Sequence, residues 1–157
     1  QEVLLRALAL LPQRAVLLLP GQGDLLPRCK ALARELGVAD RVVFPGHVNM
    51  APWYAAANAV VPSSRSEGLP FNLMEAMHCG LPAVAREGGL LYPYGDAAAC
   101  ARQIQTLMDD PLLAQDLGRA GRQAMEPFRL DAVLPQVMEE YDRLLDSVNT
   151  RSKHIRI

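Results

Sequence analysis

The stretch Ala59-Val-Val-Pro-Ser-Ser-Arg-Ser-Glu-Gly-Leu-Pro-Phe-Asn-Leu-Met-Glu-Ala-Met-His-Cys-Gly-Leu-Pro-Ala-Val-Ala85 decides the fold. It opens on the apolar run Ala59–Val61 and passes through a loop of proline, serine and glycine. It then continues at helical period from Pro70, a residue tolerated at the first helical position, until Gly80 stops it. A second apolar run, Pro82–Ala85, follows. Strand, loop, helix and strand in that order form the unit of a parallel sheet, because parallel neighbours need a crossover.

The same alternation extends in both directions. Toward the amino end, Val3, Leu4, Ala7, Leu8 and Leu11 recur at helical spacing, and Ala15–Leu19 reads as a buried strand that ends in Pro20-Gly-Gln-Gly23. Leu25 to Leu36 is an amphipathic helix closed by Gly37, Val42–Phe44 a strand stopped by Pro45-Gly46, and Ala51–Ala57 a short helix. Toward the carboxyl end, Leu90–Tyr92 is a strand. Asp96 can cap a helix whose stripe is Ala97, Cys100, Ala101, Ile104, Leu107 and Met108. Asp110-Pro111 starts another helix. Asp131 can cap the last, with Leu134, Val137, Met138, Tyr141, Leu144 and Leu145 on one face. The expected class is α/β, a parallel sheet with helices on both faces.

Two irregularities stand out. The chain enters inside a helix, so the sheet is expected to lack its first strand. Only Arg86-Glu-Gly-Gly89 separates two strands, whereas a βαβ crossover takes at least ~10–12 residues. Those strands are therefore either connected unusually or missing some natural sequence.

Composition narrows the function. The chain has 157 residues, half of them hydrophobic, and a net charge of −1, which is ordinary for one soluble domain. That balance gives no drive toward nucleic acid, and the few aromatics argue against base stacking. No apolar run nears the ~18–20 residues of a membrane span, and no secretory leader is read. Cys29, Cys79 and Cys100 match no zinc spacing. They read as reduced thiols of a cytoplasmic protein, with Cys29 and Cys100 packed among apolar helix positions. Arg151, Lys153 and Arg156 lie in the terminal segment, which reads as a solvated end or as a contact with lipid head groups at the inner face of the membrane.

Ligands of open α/β sheets bind beyond the carboxyl ends of the strands. Two loops are placed there, Pro20–Asp24 and Pro62–Leu69. The glycines of the first suit either a plain turn or close approach of backbone to a ligand. The second leads into a helix N-terminus, whose free N–H groups and partial positive charge can hold a phosphate without a metal. On the helical wheel Pro70, Leu73, Met74 and Met77 form the apolar side, and Asn72, Glu75 and Cys79 the opposite one. Glu75 is thus either a solvated helix carboxylate or an acceptor for two hydroxyls of a vicinal diol. Glu67 either favours the helix dipole or faces a second polyol. Two carboxylates astride an anion-binding helix end suit a ligand with hydroxyls on both sides of a diphosphate. His47 and His78 have no evident partner and read as surface residues.

The spacing from Glu67 to Glu75 resembles the Glu-x7-Glu motif of retaining GT-B glycosyltransferases, the large family 4 (group 1). The resemblance runs from about Val3 to Leu145. It includes Leu19-Pro-Gly-Gln-Gly23, Val42-Val-Phe-Pro-Gly46, Glu75-Ala-Met-His-Cys-Gly-Leu-Pro82 and Gly89-Leu-Leu-Tyr-Pro93. The wording around Glu67 looks most like bacterial exopolysaccharide or capsule transferases. This resemblance implies a Rossmann-like carboxyl-terminal half of a GT-B fold over residues 1–146, with 147–157 as a tail. It implies a catalytic Glu67 at the donor sugar hydroxyls near the anomeric carbon. Gly68, Leu69 and Phe71 would offer amides to sugar and phosphate, Asn72 and Leu73 would lie by the diphosphate, and Glu75 would take the ribose diol. Gly21 and Pro45-Gly46 would neighbour the base.

The implied donor is a UDP- or GDP-linked sugar used without a metal, and the acceptor is a glycan or lipid-linked molecule held by a separate amino-terminal domain. The family's usual glycine stands here as Pro70, and its Arg- and Lys-bearing loop against the diphosphate is not in the chain. The chain alone is therefore expected to be inactive in transfer. A nucleotide-sugar epimerase of the same architecture and a non-catalytic nucleotide-sugar-binding module are the other readings.

Overall fold

The computed structural model describes residues 1–64, 70–85 and 89–153, with side chains up to residue 146. It divides into two compact units, Gln1–Gln123 and Ala124–Ile157.

In the first unit, helix α1 (Glu2–Ala9) buries Leu4, Leu5, Ala7 and Leu8, as its spacing predicts. Strand β1 (Leu17–Leu18) lies parallel to β2 (Val42–Val43), with Leu17 opposite Val42 and Leu18 opposite Val43. Between them α2 (Leu26–Glu35) is the crossover, and Gly37 after it takes the left-handed conformation, φ 68°. Helices α3 (Ala51–Ala56) and α4 (Phe71–His78) follow, the second ending at Gly80 with φ 83°. Strands β3 (Val84–Ala85) and β4 (Leu90–Leu91) precede α5 (Ala97–Asp109) and α6 (Pro111–Met125). Every strand pairing among the described residues is parallel, so the α/β class holds.

The strands are shorter than their apolar runs, and proline is the reason. Pro20, Pro45, Pro62 and Pro93 close the runs, and Pro82 opens one; none can donate to a ladder. The Ala59–Val61 run corrects the reading most. It makes one parallel bridge, Val60 to Ala83, in which the Val60 N–H donates to Pro82 O at 3.0 Å and the Val84 N–H to Val60 O at 2.9 Å. The expected single sheet is therefore two pairs among the described residues, β1–β2 and β3–β4. A cavity of about 1570 Å³ is lined both by Leu17–Leu19 and by Ala59–Val61.

The short connection joins β3 directly to β4. The two are parallel neighbours, Val84 opposite Leu90 and Ala85 opposite Leu91. Two-residue strands make so short a return feasible, because a strand advances only ~3.3 Å per residue and neighbours lie ~4.8 Å apart. Arg86–Gly88 lie outside the described residues. Gly89 sits so close to Ala83 that a side chain there would collide with the Ala83 carbonyl.

The core has three parts. Leu4, Ala7 and Leu11 pack with Val84, Tyr92 and the α5 residues Ala99, Cys100, Ala101 and Leu107. Leu5 and Leu8 pack with Cys29, Leu32, Ala33, Val38 and Val42. Helix α1 thus serves both clusters, and complete burial of a side chain such as Leu5 stabilises the fold by ~1.5–3 kcal/mol. Tyr54, Ala76 and Leu81 form the third, joining α3 to α4. Cys29 and Cys100 are buried as expected, and Cys79 is exposed.

Arg41 is the buried charged residue among the described residues of this unit. Its guanidinium donates to Pro12 O at 3.0 Å, Leu8 O at 3.1 Å and Leu11 O at 3.3 Å, satisfying carbonyls at the end of α1. Asp96 caps α5 by accepting from the Ala99 N–H at 2.8 Å, and Asp110 accepts from the Leu113 N–H at 2.9 Å.

In the second unit α7 runs Leu130–Lys153. Asp131 is not its cap. It lies in the first turn, and its carboxylate accepts from the Arg129 guanidinium at 3.1 and 3.2 Å, which holds its pKa below the ordinary value. Leu134, Val137, Met138, Tyr141, Leu144 and Leu145 are exposed. Among the described residues no helix is long and apolar enough to cross a membrane.

Candidate functional site

The strand ends converge on one cavity. Gly21–Asp24 after β1, Phe44 and His47 after β2, and Pro62–Ser64 after the Val60 bridge all line it, together with Asn72 and Glu75 of α4. The cavity continues past Leu4, Leu8 and Leu11 of the first helix to Ile104 and Leu107, and the loops named here form its part at the carboxyl ends of the strands, where open parallel sheets bind ligands. The first two loops are tied directly. The Gly21 N–H donates to Gly46 O at 2.6 Å, with both glycines at positive φ, 118° and 77°. A residue with a side chain is strained in that conformation, so the close approach of these loops depends on glycine. Gly21 and Pro45-Gly46, which the resemblance sets together, are in direct contact.

The third loop is anchored from β4. The Tyr92 hydroxyl donates to Pro62 O at 2.9 Å. Tyr92 is buried, and burial followed by the neighbouring Cys100 thiol pushes its pKa up to about 12. Cys100 rises to about 11, mainly through burial, with the Tyr92 hydrogen bond pulling the other way.

Helix α4 begins one residue later than its sequence suggests. Pro70 is its N-cap, and Phe71 its first residue. The Leu73 and Met74 amides both donate to Pro70 O at 3.0 Å, and the Asn72 side-chain oxygen accepts from the Leu73 N–H at 2.9 Å. The amides of Phe71 and Asn72 are those that helix geometry leaves for an outside acceptor. The wheel is as predicted: Ala76 and Met77 are buried, Leu73 and Met74 half-buried, and Phe71, Asn72, Glu75 and Cys79 exposed. Glu67, Gly68 and Leu69 lie outside the described residues. The described set of Gly21, Asn72 and Glu75 shares the cavity, whereas Phe71 and Leu73 stand beside it on the first turn. His47 and His78 are both exposed, and His47 lines the cavity.

One residue of the site escaped the sequence reading. The Tyr54 hydroxyl, on α3, lies 3.0 Å from Glu75 Oε2 and 3.3 Å from Asn72 O. Its pKa is pushed up to about 12, first by burial, then by the hydrogen bond and charge of Glu75, with a smaller push from Cys79. The signal for it was present: a lone tyrosine in an alanine-rich helix, on the face that packs toward Ala76 and Leu81.

Comparison with known proteins places the chain in a family and a fold. The family model for glycosyl transferases group 1 matches residues 1–110. The chain is 30% identical to the putative glycosyltransferase EpsD of Bacillus subtilis, covering 99% of this chain and 45% of that protein. Sucrose-phosphate synthase from Thermosynechococcus elongatus superposes with a TM-score of 0.84 at 33% identity, over 93% of this chain and 42% of that one. Alr3699/HepE from Anabaena, solved in complex with UDP, superposes with a TM-score of 0.81 at 27% identity, over 91% and 45% of the two chains. The chain thus spans less than half the length of these proteins, and its fold is that of one half of a GT-B glycosyltransferase. It belongs to the glycosyl transferases group 1 family.

Proposed function

We propose that this chain is the donor-binding domain of a retaining glycosyltransferase. The whole protein moves a sugar from a nucleoside-diphosphate sugar to a glycan or lipid-linked acceptor, in the cytoplasm at the inner face of the membrane. The observation that carries the reading is the shared cavity, in which the Gly21 loop, the first turn of α4 and the Glu75 carboxylate meet at the strand ends.

Each part has a chemical task. The base lies by Gly21 and Pro45-Gly46. The ribose diol donates two hydrogen bonds to Glu75, whose carboxylate offers four lone-pair sites. The diphosphate meets the first turn of α4 near Phe71, Asn72 and Leu73, where amide N–H groups and the helix dipole stabilise negative charge without a metal. The sugar lies toward Glu67, Gly68 and Leu69, with Glu67 at the hydroxyls near the anomeric carbon. The acceptor belongs to the other half of the protein, so this chain alone binds donor and transfers nothing. HepE, solved with UDP and with UDP-glucose, supports the choice of ligand class.

A calorimetric screen against UDP, GDP and their sugars tests this. Saturable binding of one nucleotide, tightened or loosened by its sugar, is the expected result. Binding of none, with the remainder of the parent protein restored, would sink the reading.

A further inference from the structure

We infer that Tyr54 is a positioning residue for donor recognition: its half-buried hydroxyl holds one carboxylate oxygen of Glu75 so that the carboxylate is set to receive a ribose diol. This rests on the reading of Glu75 given above.

The two side chains differ in freedom. Glu75 is exposed, and a free glutamate distributes over many rotamers. Tyr54 is 9% exposed, and its ring packs on Ala76 and Leu81, with Met50, Ala57 and Val60 around them. A tyrosine has two side-chain torsions, and packing fixes both. Its hydroxyl therefore occupies a fixed point, 3.0 Å from Glu75 Oε2. A rigid donor at that distance selects one carboxylate orientation from those open to the glutamate.

The hydroxyl has one proton, and its two neighbours are Glu75 Oε2 and the more distant Asn72 O. The charged oxygen at 3.0 Å is the stronger acceptor. The bond uses one lone pair of Oε2 and leaves Oε1 entirely open, so the carboxylate keeps capacity for both hydroxyls of a diol. With its pKa near 12, Tyr54 remains a donor throughout the physiological range. Phenylalanine would fill the same apolar space, so packing alone does not call for the hydroxyl. Both groups that the hydroxyl reaches belong to the candidate site.

Titration calorimetry of the chain with UDP and with 2′-deoxy-UDP tests the inference, using wild type, Tyr54→Phe, Glu75→Ala and the double variant. Y54F should weaken UDP by roughly 5- to 10-fold, the scale of one ordinary hydrogen bond, because the lost bond orders the carboxylate and does not touch the ligand. It should leave 2′-deoxy-UDP within roughly 2-fold, because that ligand has no diol to orient. In the E75A background the hydroxyl should make no further difference. Melting curves accompany the titrations, which are run well below each variant's transition, so that a loss of packing is read separately. Y54F binding UDP like wild type overturns the inference, as does equal loss for the two nucleotides or a full additional loss on top of E75A. The underlying reading fails in a different place: E75A would then bind UDP as tightly as wild type.

Discussion

Replacing Glu75 by alanine separates a ligand carboxylate from an ordinary surface glutamate. Glu75 is exposed, so its contribution to folding is small. Among the described residues its carboxylate has one hydrogen bond, from Tyr54, whose hydroxyl lies 3.3 Å from Asn72 O and can turn to it when the carboxylate is gone. The substitution should therefore cost under ~1 kcal/mol of stability. Binding should respond differently. Two hydrogen bonds from a diol to a charged acceptor, each near the low end of ~1.5–3 kcal/mol because the site is open to water, give a loss of about 2–3 kcal/mol once competition with water is allowed for. That is a roughly 30- to 150-fold rise in Kd. Calorimetry with UDP measures it, and thermal melts monitor the fold. An E75A chain that melts like wild type and still binds UDP within roughly 2-fold refutes the assignment.

The other predictions concern the second carboxylate and the fold beneath the site. Glu67→Ala should leave the affinity for free UDP unchanged and remove the difference between UDP and its sugar; calorimetry with both ligands decides it. Arg41→Met should lower stability by about 2 kcal/mol, read from the midpoint of urea unfolding. The figure is modest because Leu8 O and Pro12 O each keep a backbone donor, the Leu11 and Ala15 N–H groups, when the guanidinium is removed. Stability should also fall as pH rises from about 9. Cys100 is raised from 9.0 to about 11, and Tyr54 and Tyr92 from 10.0 to about 12, so the native state holds protons that the unfolded chain releases. The stabilisation is complete below the unfolded values and is lost through the folded ones. Urea midpoints across that range measure the fall, and Tyr92→Phe should make it shallower.

Local signals carried much of the fold. Gly37 and Gly80 marked helix ends because each needs positive φ, and Asp96 marked a helix start because its carboxylate accepts from the Ala99 N–H. The polar side of α4 was legible because helical period alone separates Asn72 and Glu75 from Met77. Contacts between distant segments were not legible. Tyr54 meets Glu75 only once α3 packs on α4, and Arg41 reaches the carbonyls of α1 across the fold. Asp131 had the composition of a cap, but Arg129 two residues earlier offered its carboxylate a stronger charged partner. The Ala59–Val61 run had the apolar content of a strand, but with proline at Pro62 and Pro82 it makes only a bridge.

The most direct test of the donor site is a crystal structure of the chain bound to a UDP-sugar. In it the ribose hydroxyls should lie on the Glu75 carboxylate, the diphosphate at the first turn of α4 and the base beside Gly21. A nucleotide seated elsewhere, with Glu75 still facing solvent, would contradict that placement.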